Sequence, residues 1–128
     1  LKVKKTIKDV VYSMAKEGYI VFVGRGGVSI AQGITDSLHV RLIAPFYWRV
    51  SNVMRKKNMD IESAEEYIIE TDRRRFNLIA AFLEKKPVNI DYLFDVCINR
   101  HSFSIEDISK LLVSLYETKV GKRIAQRR

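Results

Sequence analysis

The sequence is poor in the residues that staple a chain or carry it through a bilayer. It has one cysteine, Cys97, set in an apolar run, so no internal disulfide can form. No Cys/His set has metal-ligand spacing, and no metal site is expected. That cysteine usage fits a reducing, cytoplasmic setting. No apolar run approaches the ~18 residues of a membrane span, so no membrane partner is expected. There is no internal repeat and no low-complexity segment. Acidic residues are the scarcer charge: 15 Asp and Glu face 23 Lys and Arg, for a net charge of +8. Such a balance favours anionic partners, whether nucleic acid, phosphorylated small molecules or acidic surfaces, without choosing among them.

What is present suits one soluble globular domain. The 128 residues are 47% hydrophobic and 30% charged, a composition that excludes intrinsic disorder and is long enough to bury a real core. The expectation is one domain over 1–118 followed by a basic tail, 119–128, in which Lys122, Arg123, Arg127 and Arg128 carry part of the excess charge. No signal peptide is visible, and the chain opens on Leu1 rather than Met, so an upstream segment is expected.

Periodicity places the elements. Ile7, Val10, Val11 and Met14 have helical spacing over 4–17, with Gly18 as the stop. Residues 19–23 (YIVFV) form a short continuous apolar run, the pattern of a strand covered on both faces. Residues 38–43 (LHVRLI) read as a second strand. Pro45 then suits the start of a helix over 46–57. A long helix is expected over 61–85, with Ser63 and Glu66 at capping-box spacing and Pro87 as its end. Residues 94–98 (FDVCI) read as a third strand, and Ser104 caps a last helix striped by Ile105, Ile108, Leu111, Leu112 and Leu115. Strands alternating with helices argue for an α/β sandwich around a parallel sheet, whose ligands bind at the carboxyl ends of the strands.

Several groups near those ends can carry chemistry. Arg25 stands among Gly24, Gly26 and Gly27 directly after the first apolar run. Glycines permit close backbone approach, and a guanidinium held there offers a planar fork to a phosphate; a solvent-facing turn arginine is the equal alternative. The run lacks the Gly-Lys-Ser/Thr ending of a triphosphate-binding loop. Asp72 falls in a helical row with Ala64, Ile68, Phe76 and Ala80, and Arg75 lies beside it. Charges in an apolar stripe must be paired or used. The two can pair with each other three residues apart, or face a ligand. Arg55-Lys56-Lys57 and Arg73-Arg74-Arg75 are either solvated faces or cations that swing over phosphates from a lid-like segment at about 55–75, with Arg49 able to join them. His39, within a strand, reads as structural. His101 follows a strand end within reach of a ligand. Trp48 reads as core.

In order along the chain, V-G-R-G-G, L-H-V-R-L-I-A-P with Arg49, the D-x-x-R at Asp72 to Arg75, and F-D-V-C-I-N resemble the cytidylate kinase-like family of P-loop nucleoside monophosphate kinases over about residues 4–117. The resemblance implies a three-layer α/β sandwich with a parallel sheet and a small lid. It implies transfer of the γ-phosphoryl of ATP, with Mg2+, to a nucleoside monophosphate such as CMP or dCMP. Arg25 would match the arginine of a G-R-D motif that holds the acceptor; Gly26 stands where its aspartate would be. Asp72 and Arg75 would match acceptor-side residues at the end of the lid, while Ile68 replaces a family arginine. Arg49, Arg55, Arg73 and Arg74 become lid-side candidates for phosphates.

The family's first strand and glycine-rich phosphate loop are not found in the 128 residues. That strand would lie between the strands at 19–23 and 38–43, so these must pair directly, be bridged by a missing N-terminal segment or another copy, or remain exposed. The expected function is therefore that of the carboxyl-terminal portion of a cytidylate kinase-like phosphotransferase, inactive in isolation, with a nucleoside monophosphate or other phosphorylated small molecule as its partner. The alternatives are a non-catalytic nucleotide-binding or regulatory module and a basic nucleic-acid-binding domain.

Overall fold

The computed structural model describes residues 2–85 and 89–127, with side chains as far as Gly121. Pro87 and the side chains of Lys122, Arg123, Arg127 and Arg128 lie outside the described residues. Helix α1, Lys2–Glu17, forms where the helical spacing was expected and buries Val11. It stops where Gly18 and Tyr19 both turn to positive φ, 83° and 55°, and the Gly18 N–H donates to the Met14 carbonyl at 3.3 Å.

Residues 19–23 are not a strand, which corrects the reading from composition. The described sheet has two strands, and neither pairs with this run. An apolar run of β-forming residues becomes a strand only where a neighbour pairs with it. Here Val21 and Val23 are 87% and 88% exposed, with only Phe22 partly covered.

Gly24, Arg25 and Gly26 then all take the left-handed conformation, at φ 72°, 61° and 70°. The turn they make leads into the short helix α2, Gly27–Ile30. The turn is wedged against the far end of the long helix described below. A Cβ on Gly26 would lie 2.6 Å from Cδ2 of Phe82, and the Ser29 hydroxyl donates to the Ile79 carbonyl at 2.7 Å.

Strands β1, Val40–Ile43, and β2, Val96–Asn99, pair in parallel, Val40 opposite Val96 and Ile43 opposite Asn99. The parallel arrangement expected from helices alternating with strands is present. Both strands are shorter than the apolar runs suggested. The His39 carbonyl accepts from the N–H of Asp95 at 2.7 Å, and the Ile43 carbonyl accepts from that of Arg100 at 2.7 Å, closing the two ends of the ladder. Alternation puts Val40, Leu42, Val96 and Ile98 on one face, and Arg41, Ile43, Cys97 and Asn99 on the other.

After β1, Pro45 precedes helix α3, Phe46–Lys57, whose last turn carries Arg55, Lys56 and Lys57 against the negative end of the helix dipole. Asn58, at φ 52°, reverses the chain. Helix α4, Ile61–Ala81, then runs back along α3. Its cap differs from the expected box: the Asp60 carboxylate accepts from the Ser63 N–H at 2.8 Å. It ends four residues short of the expected limit, where the amides of Phe82 and Leu83 turn to carbonyls three residues back. Between the two helices lies the best-packed cluster, Val50, Ala64 and Ile68, with Val53, Met54 and Met59 around it. Residues 55–75, read as lid-like, thus form much of a packed helical hairpin.

A 3-10 turn, Asp91–Leu93, leads into β2. Helix α5, Ile105–Arg127, is capped by the Ser104 hydroxyl, which accepts from the Asp107 N–H at 3.1 Å. It returns beside the sheet, where the Lys119 ammonium meets the Asp95 carboxylate at 2.7 Å. Among the described residues no helix is long and apolar enough to cross a membrane.

Candidate functional site

Arg49 sits in the first turns of α3, just past the carboxyl end of β1. Asp72 lies in the middle of α4, one turn beyond the buried Ile68. The hairpin brings them together. Arg49 Nη1 donates to Asp72 Oδ2 at 2.7 Å and Nη2 donates to Oδ1 at 2.6 Å, a fork-to-fork pair. Arg75 Nη1 stands 3.9 Å from Asp72 Oδ1, close enough for charge but not for a hydrogen bond. The Arg49 hydrogen bonds, and then the charges of Arg49, Arg75 and Arg41, hold the Asp72 carboxyl below the usual aspartate range against its partial burial. The same hydrogen bonds raise the pKa of Arg49. Asp72 therefore stays ionised and fixes one guanidinium, which keeps three further N–H groups for other acceptors.

Arg41 extends the cationic region onto the sheet. It points from the face shared by Ile43 and Cys97, donates to Asp91 Oδ1 at 2.8 Å and lies over the Phe94 ring. These five residues line a hollow of about 440 Å³. Sequence reading did not single out Arg41 as a site residue. The available signal was a cation set between the apolar Val40 and Leu42 of a strand run.

The other candidates are placed apart from this cluster. Arg73 and Arg74 both bind the Glu70 carboxylate, at 2.7 Å and 2.9 Å. Arg55 donates to the Asn52 side chain at 2.5 Å. Arg25 is exposed at the turn, which packs on the carboxyl end of α4. Ten residues of helix separate Asp72 from Phe82, about 15 Å of rise. Among the described residues no hydrogen bond or ion pair joins Arg25 or Gly26 to Asp72 or Arg75. At the carboxyl end of β2, Trp48 packs against the His101 ring at 5.5 Å and under the Arg100 guanidinium at 5.7 Å. His39, just before β1, is half-buried. Its Nε2 is 3.2 Å from the Ser37 hydroxyl, and burial lowers its pKa from the ordinary value despite the nearby Asp95.

The architecture defines an α/β domain with a parallel strand pair and an arginine–carboxylate cluster at the head of its helical hairpin. Comparison with known proteins gives its family. The family model described as the cytidylate kinase-like family matches residues 2–102, and the chain belongs to that family. A curated protein of Corynebacterium glutamicum named uronate isomerase is 29% identical over 116 residues. The match covers 91% of this chain but only 22% of that protein, so the chain spans about a fifth of its relative's length. No solved structure matches.

Proposed function

We propose that the chain is the acceptor-side part of a phosphotransferase, in which its arginines receive the phosphate of a nucleoside monophosphate of the CMP or dCMP type. In the complete protein the γ-phosphoryl of ATP is transferred to that phosphate; the 128-residue chain alone binds without turnover. Family membership supports a kinase-like activity. The observation that carries the reading is the Arg49–Asp72 fork, flanked by Arg75 and by Arg41. Phosphoryl transfer is catalysed mostly by positioning and by neutralising charge on the moving group. A guanidinium already oriented by a carboxylate has less freedom to lose when a phosphate arrives.

In this reading Arg49 binds phosphate oxygens through its free N–H groups, Asp72 orients it, and Arg75 and Arg41 add positive potential. Arg55, Arg73 and Arg74 contribute once a ligand draws them from Asn52 and Glu70, whereas Arg25 and Gly26, at the other end of α4, contribute only to a ligand that spans the about 15 Å of helix between them and Asp72. Among the described residues no group of three or more His, Cys, Asp or Glu is placed to hold a metal by itself. No triphosphate-binding loop occurs in these 128 residues either.

Calorimetry of the chain with CMP, AMP and inorganic phosphate tests the proposal. CMP should bind more tightly than phosphate, and Arg49→Ala should weaken it by about 1.5–3 kcal/mol, the range for a hydrogen bond to a charged group. Equal binding by the parent chain and the variant would remove the cluster from the site.

A further inference from the structure

Helix α5 is held unevenly along its length. Among its residues with described side chains only Ile108 is buried, one turn from the start. Leu112, Leu115 and Lys119 follow on the same face at helical spacing and are half-buried. This part of the helix meets the beginnings of the strands at a hollow of about 230 Å³, lined by Leu38, Asp95, Val96, Leu115, Thr118 and Lys119. A packed interior has few voids larger than one water. The far half of α5 therefore rests on the strands without filling the space between, and Leu111, Val113 and Tyr116 are exposed.

Polar contacts do not make up the difference. The hydroxyls of Ser109 and Thr118 donate to carbonyls of their own helix. Among the residues with described side chains, one ion pair joins α5 to the strands: Lys119 Nζ donates to Asp95 Oδ2 at 2.7 Å. The strand side of that pair is built independently of the helix. Asp95 Oδ2 also accepts from the His39 N–H at 2.7 Å, and the Asp95 N–H donates to the His39 carbonyl at 2.7 Å. Lys119 can therefore leave while Asp95 stays fixed and β1 and β2 stay paired.

We propose that α5 beyond Ile108 is an arm that opens as a unit from the strand beginnings, with Lys119–Asp95 as its ionic latch. The two side chains are 24% and 33% exposed, so dissolved salt reaches the pair and weakens it. Elements with few buried apolar side chains open at lower free energy than the core. Opening uncovers the apolar Leu38, Val96 and Leu115 and leaves the α3–α4 hairpin, packed on Val50, Ala64 and Ile68, as it was. Exposure of the cleft thus answers to ionic strength.

The test is residue-resolved amide hydrogen exchange on the full chain at about 0.1 M and about 1 M sodium chloride, between which the screening length falls from about 10 Å to about 3 Å. The Leu115 and Lys119 amides should exchange faster than that of Ile68 in α4. At the higher salt they should speed up about two- to fivefold, the counterpart of a partly exposed ion pair, while the Ile68 amide keeps its rate. Lys119→Met keeps most of the apolar stem and removes the charge. At the lower salt its α5 amides should exchange as the parent's do at the higher, with most of the salt response gone. Its Asp95 amide, bonded to His39, should stay slow, which shows that the strands are still paired. Leu115 and Lys119 amides as slow as that of Ile68, or indifferent to salt in the parent chain, would overturn the proposal. So would a variant that keeps the full salt response or loses protection at Asp95.

Discussion

Arg49 and Asp72 stand 23 residues apart in the chain and meet through two hydrogen bonds of 2.7 Å and 2.6 Å. Their side chains are 28% and 46% exposed, so water screens much of the attraction. Partly exposed ion pairs add about 0.2–1 kcal/mol to stability. Asp72→Asn should therefore lower chemical-denaturation stability by no more than about 1 kcal/mol while weakening CMP binding clearly, because Arg49 loses its orientation. A large stability loss with unchanged binding would make the pair a structural clamp and nothing more.

Arg25 makes no hydrogen bond or ion pair with another described residue. Arg25→Ala should leave the melting temperature where it is. In the proposed site it should weaken nucleoside monophosphate binding by about 1.5–3 kcal/mol. Calorimetry and thermal melts on one variant separate the two effects. Unchanged binding would reduce Arg25 to a turn residue.

Gly26 has two reasons to resist substitution. Its φ of 70° strains any L side chain, and a Cβ would meet the Phe82 ring at 2.6 Å. Gly26→Ala should destabilise the fold by about 2–3 kcal/mol, from left-handed strain plus overpacking. Adding Phe82→Leu should recover the packing part and leave the strain, which urea melts of the single and double variants resolve.

His39 makes stability depend on pH in a defined direction. Burial is the leading cause of its lowered pKa, so the native state favours the neutral ring. Its contribution is complete above the unfolded-state value of about 6.5 and is lost as the pH falls through the lower native value. Urea midpoints should drop between pH 7.5 and a pH below the native value. His39→Gln should flatten that slope, and a slope unchanged in the variant would assign it elsewhere. Asp72 and Asp95, both held below the ordinary aspartate value, act only at more acidic pH.

The helices were legible because their signals are local. The apolar spacing of α1, Pro45 before α3 and Ser104 before α5 each act within a few residues. The two paired strands were legible as apolar runs, and their parallel pairing followed from the alternation with helices. The run at 19–23 has the same composition as a buried strand, but composition does not supply a neighbour. In the site, Asp72 was correctly marked as a charge that needs a partner. Arg75, at three residues' spacing, was the local candidate, whereas the hairpin delivered Arg49 through contacts that no spacing rule contains. Asp60 displaced the expected capping box because its carboxylate reaches the Ser63 amide directly.

The α3–α4 hairpin also bears on the order in which the molecule assembles. Its helices are joined by a short reversal at Asn58, so little chain entropy is lost in closing it. The strand pair must instead bring together backbone 56 residues apart, as His39 and Asp95 show. Short-range contacts form faster than long-range ones. The Arg49–Asp72 fork is therefore expected to fall in the early-forming unit, with its two arms aligned before the strands pair.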